Sequence, residues 1–79
     1  MQLFTFDGSN WDKPINTFED MQEYVGGYVE MVNIGNDKVA VVNDEGLIHN
    51  LPKNKTLPQF CGNVIVLDMN NPLDRKFLE

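Results

Sequence analysis

Two runs of four apolar residues, Val39–Val42 and Val64–Leu67, are the longest unbroken apolar stretches in the chain. A membrane-spanning helix needs about 20 such residues, so neither run can cross a bilayer in that form. Both suit strands. Lys38–Val42 is the most β-prone segment of the sequence, with three valines in five positions. Asn63–Asp68 carries large side chains on both faces, which predicts a strand at the centre of a sheet.

The remaining segments arrange themselves around these strands. Leu3–Phe6 reads as a short strand, ended by the turn formers Asp7-Gly8-Ser9-Asn10. Trp11–Ile15 reads as an extended stretch returning beside it, because the residue before Pro14 is biased away from helix. A helix is predicted over 17–25. Asn16 precedes Glu19 by three residues and Thr17 precedes Asp20 by three, so either pair would make a reciprocal N-terminal cap. Phe18, Met21 and Val25 form an apolar stripe at helical spacing, and Gly26 is the stop. Gly27 opens a strand over Tyr28–Ile34, and Gly35-Asn36-Asp37 is a turn. Asn43-Asp44-Glu45-Gly46 reads as a type I turn closed by a positive-φ glycine, with Leu47–His49 returning along it. The segment 50–58 holds two prolines, so it is a loop or a single helical turn. Asn71, Pro72 and Asp74 supply a cap, an N1 proline and an early acid for a short C-terminal helix. Leu73 and Phe77 would share one face of it. The tail 69–79 would dock on its own sheet, on a partner, or fray. The expected fold is α+β: one domain over 1–79, with one main helix on a small, mostly antiparallel sheet of four to five strands.

Twelve acidic residues oppose six basic ones, a formal charge of −6. That sign repels a phosphate backbone and disfavours direct nucleic-acid binding. One cysteine leaves no internal disulfide and no cysteine-rich zinc site, and no cofactor or metal is expected. Met1 leads into Gln2–Phe6 without a basic start or a long apolar block, so no signal peptide is expected. A chain of this length buries only about 60 % of the surface its unfolded form exposes, so pairing with a second copy is expected to add stability.

Four segments, Glu19–Glu30, Val41–Leu47, Leu51-Pro52-Lys53-Asn54 and the closing strand Gly62–Val66, together resemble a small family borne by phages and plasmids. It is domain of unknown function thirty-eight forty-six. The shared order is helix, Gly-Gly, strand, Asn-x-Glu-Gly hairpin and Leu-Pro-x-Asn. The resemblance covers about Phe18 to Leu67 and leaves out the first strand and the tail from Met69. It implies a mobile-element origin, so that the cytosolic location expected from the lack of a signal peptide would be the host-cell cytoplasm. It brings no established chemistry and no catalytic residues.

The residues themselves offer little for catalysis. His49 reads as a polar residue on a strand face, because no serine or cysteine nucleophile has a motif around it. Cys61, between Phe60 and Gly62, reads as a small buried hydrophobe. Asp7–Asp12 places oxygen ligands at alternating positions but lacks the glycine and distal glutamate of a calcium loop. Asn54-Lys55-Thr56 matches a glycosylation sequon, which a cytoplasmic chain does not use.

Binding is the better expectation, and two places stand out. At the corner Gly26-Gly27, two adjacent glycines exceed what a helix stop requires, and the second would permit close approach by a ligand or a backbone. Tyr28 and Glu30 would then point the same way from the strand. His49, Lys53, Asn54 and Lys55 gather cationic and polar groups on a proline-stiffened loop suited to phosphate. The leading expectation is a non-catalytic accessory protein that binds a host protein of a defence or regulatory system. Carboxylates at Asp12, Glu19, Asp20, Glu23, Asp37, Asp44 and Glu45 would steer that partner, and Leu73 and Phe77 would anchor it. The alternatives are an oligomer that sequesters a nucleotide-type ligand, with Tyr28 and Glu30 on the base or sugar and Lys53 and Lys55 on phosphates, and a structural module without a ligand.

Overall fold

The two apolar runs lie side by side. In the computed structural model, which describes residues 1–46 and 50–78, they form strands β3 (Lys38–Asn43) and β4 (Val64–Asp68). These pair antiparallel, with Val39 opposite Leu67 and Val41 opposite Ile65. The edges are β1 (Gln2–Phe4), which joins β4, and β2 (Val29–Gly35), which joins β3. The sheet is antiparallel throughout, in the order β1-β4-β3-β2. Asn36 and Asp37 connect β2 to β3 with φ of 54° and 58°, the pair of positive values that a two-residue type I′ hairpin needs. One helix, α1 (Phe18–Val25), and a short α2 (Pro72–Arg75) followed by a 3₁₀ turn at Lys76–Leu78 complete the α+β fold.

Side chains alternate across the strands, so each apolar run divides between two faces. Val39, Val41, Ile65 and Leu67 meet Met21, Tyr24 and Val25 of α1 on one face. Ala40, Val42, Val64 and Val66 form a second cluster on the other, covered by Leu57 and Phe60 of the long loop between β3 and β4. Both central strands are therefore apolar on both faces.

Thr17 caps α1. Its hydroxyl accepts from the Asp20 N–H at 3.1 Å, and the Asp20 carboxylate accepts from the Thr17 and Asn16 N–H groups at 3.0 and 2.9 Å. Those two backbone bonds hold the Asp20 carboxyl below the usual carboxylate range. Gly26 ends the helix in the left-handed conformation, φ 85°, and its N–H donates to the Gln22 carbonyl.

Several expectations need correction. Trp11–Ile15 forms no strand beside the first: β4 takes that place. Trp11 and Ile15 instead pack on the helix-side cluster, Trp11 edge-on to Tyr24 with ring centroids 4.9 Å apart. Phe18 is largely exposed, and Tyr24 takes its place in the buried stripe with Met21 and Val25. Gly46 does not have positive φ. It is buried where a Cβ would stand 3.3 Å from the Cys61 carbonyl oxygen, so packing calls for glycine there. Leu73 and Phe77 border one hollow but do not form one buried stripe. The chain tightens into the 3₁₀ turn between them, leaving Leu73 exposed while Phe77 and Leu78 pack against the helix-side cluster. The expected strand Leu47–His49 lies outside the described residues.

Candidate functional site

The start of β2 and the turn after β3 meet at one end of the sheet. There Glu30, Val42, Asn43, Asp44, Gly46 and the segment Gln59–Cys61 line a hollow of about 390 Å³. Glu30 sits opposite Val42, which places it on the loop-covered face. The lining supplies two carboxylates, Glu30 and Asp44, an aromatic ring from Phe60 and the half-buried Cys61 thiol. A second, smaller hollow of about 250 Å³ adjoins it, lined by Gly26, Gly27, Tyr28, Asn43, Asp44 and Glu45. Tyr28 and Glu30 thus border two neighbouring hollows that share Asn43 and Asp44. Tyr28 is 70 % exposed.

The double glycine has a structural cause. A Cβ on Gly27 would stand 3.1 Å from the Asn43 side-chain nitrogen. That nitrogen donates to the Val25 carbonyl at 3.1 Å, and Asn63 donates to the Tyr24 carbonyl at 2.8 Å. Two asparagines from the strand ends therefore satisfy carbonyls that the end of α1 leaves open. Gly27 makes room for one of them, which is the close approach that the sequence suggested, by a side chain of the same molecule.

The cationic loop does not converge on Tyr28 and Glu30. The Lys55 N–H donates to the Phe6 carbonyl just beyond β1, at the opposite edge of the sheet from β2. Lys53 makes a backbone bridge to Cys61, with its side chain exposed. Asn54 needs correction as a ligand-binding candidate because it is fully buried. Its amide nitrogen donates to the Phe4 and Gly62 carbonyls at 2.8 and 3.0 Å, and its oxygen accepts from the Thr56 and Leu57 N–H groups at 3.0 Å each. His49 lies outside the described residues. The Asp7 turn is closed by its own chain, the Asp7 carboxylate accepting from the Ser9 N–H at 3.0 Å. Among the described residues, no three His, Cys, Asp or Glu side chains come together as a metal-binding group. No described helix is long and apolar enough to cross a membrane.

The domain of unknown function DUF3846 matches residues 7–76. The chain belongs to that family. The match reaches beyond Phe18–Leu67 at both ends, taking in the first turn, Trp11 and most of the C-terminal helical segment. No curated protein and no solved structure gives a significant match.

In this DUF3846 chain, sequence reasoning missed Asn43, Asn54 and Asn63 as fold-holding residues. Each bonds to backbone far away in sequence, Asn54 to Phe4 and Asn63 to Tyr24 and Phe6. An asparagine used in this way has the same local sequence signature as one in a turn. The acidic hollow was half visible: Glu30 stood out as a candidate, while Asp44 counted only as one of many surface carboxylates.

Proposed function

We propose that this DUF3846 protein acts by binding a protein partner that presents basic side chains, and that it does so without catalysis. The observation that carries this reading is the presence of Glu30 and Asp44 at one hollow that Phe60 also lines. Two carboxylates beside an aromatic face suit a lysine or arginine side chain, whose head pairs with the acids while its stem or plane rests on the ring. The excess of acidic over basic residues supports the reading, because a negative field speeds encounter with a positive surface. With its resemblance to a phage- and plasmid-borne family, the protein is read as a mobile-element accessory factor directed at a host protein of a defence or regulatory system. A nucleotide ligand has less support, since Lys55 and Tyr28 belong to opposite edges of the sheet.

Retention of host proteins on the immobilised chain tests this. A retained partner should elute as salt rises, and Glu30→Lys with Asp44→Lys should abolish retention while leaving the circular dichroism spectrum intact. Equal retention by the double variant would remove the hollow from the interface.

A further inference from the structure

The outer edge of β2 presents a row of peptide groups whose phase two hydrogen bonds define. The Asp44 N–H donates to the Tyr28 carbonyl at 3.1 Å, and the Met69 N–H donates to the Asp37 carbonyl at 2.8 Å. In an antiparallel pair, hydrogen-bonded and non-hydrogen-bonded positions alternate. Tyr28, Glu30 and Val32 therefore turn their peptide groups toward β3, given the register of Glu30 with Val42 and Val32 with Ala40. Val29, Met31 and Asn33 turn theirs outward, and among the described residues β2 has no strand on that side. The edge carries little of the usual protection: it has no lysine, no proline, one charged residue, Glu30, and a bulge only at its far end, between Asn33 and Gly35. Met31 and Ile34 are 37 % and 38 % exposed, and Tyr28 just before the strand is 70 % exposed.

We infer that this edge pairs with the same edge of a second copy, antiparallel about a twofold axis at Met31. Met31 then faces the partner's Met31, and Val29 and Asn33 face the partner's Asn33 and Val29. All three outward residues of each copy take part, giving about six inter-chain hydrogen bonds. Glu30 falls opposite Val32, so no two like charges meet across the axis. The paired segment is the regular part of the strand, Val29 to Asn33, and stops short of the bulge. A slip of two residues one way sets Glu30 against Glu30. A slip the other way runs the pairing into the bulge between Asn33 and Gly35. The strand is thus complementary to itself in one register, which is what favours a second copy over a foreign strand. Two sheets would join into one continuous sheet. This pairing stands apart from the basic partner proposed above, and its test reads mass and amide protection instead of partner retention.

Light scattering and amide hydrogen exchange test it together. The wild type should show twice its 9.0 kDa mass, and Met31→Lys should fall to a single mass, because two lysines would face each other at the axis. Asn33→Pro repeats the test if the first variant loses its fold, because it removes an outward N–H that the pairing needs and none that bonds to β3. In the wild type, the amides of Val29, Met31 and Asn33 should be protected in concentrated solution and should exchange freely on dilution. A wild-type monomer at every concentration overturns the inference. So does a dimer that survives both variants, or protection of these amides that appears only when another protein is added.

Discussion

On one face of the sheet the cover is an eight-residue helix, and on the other it is an irregular loop containing Leu57 and Phe60. The helix makes its own case locally. Thr17 and Asp20 cap its start, Gly26 stops it, and Met21, Tyr24 and Val25 bury one side. The loop has no such internal logic. Backbone bonds such as Lys55 N–H to the Phe6 carbonyl and Gly62 N–H to the Pro52 carbonyl hold parts of it, and one buried side chain, Asn54, adds four more that tie β1, the loop and Gly62 together. A cover made of regular structure is held by many small contributions. The loop cover draws four of its bonds from a single side chain.

The comparison breaks most sharply at Asn54. Asn54→Ala removes four hydrogen bonds and leaves their backbone partners unmatched, at about 1 kcal/mol each. The expected loss is about 4 kcal/mol in a chemical denaturation curve, enough to unfold much of a domain this small. A loss below about 1 kcal/mol would show that the loop face is held elsewhere. Thr17→Ala strikes the corresponding point on the helix face. It removes one cap bond of 3.1 Å and should lower stability by about 1 kcal/mol. If the two losses came out equal, the contrast between the covers would fail. Tyr24→Phe should have the smallest effect and the opposite sign. The hydroxyl is buried, has no hydrogen-bond partner among the described residues, and its pKa is pushed up to about 12 by burial. Removing it should leave the melting temperature unchanged or raise stability by up to about 1 kcal/mol, whereas a clear loss would mean that the hydroxyl is bonded.

The same contrast explains what could be read from the sequence. The helix was legible because caps, stripe and stop lie within ten residues, and the central strands because apolar runs on both faces admit few other uses. Trp11 was not, because its partner is the ring of Tyr24 and a proline-containing extended segment looks like a strand until that contact is known. Asn54 was misread for a related reason. Next to Lys53 and Lys55 it looks like part of a phosphate-binding loop, yet its partner at Phe4 lies 50 residues away. Of the candidate site, Glu30 was visible from strand alternation. Its neighbour Asp44 was not, because the two come together only once β2 and β3 are paired in register.

The strand order also bears on how the chain comes off the ribosome. β4 is the last of these four strands to be made, yet it lies between β1 and β3. Until Asp68 has emerged, the first strand has no neighbour to join, and the newly formed β2–β3 hairpin keeps its valine-rich inner edge bare. At translation speeds of about 5–20 residues per second, that delay lasts on the order of seconds. For that interval the nascent chain is a sticky hairpin, and a chaperone at the tunnel exit has its best opportunity there.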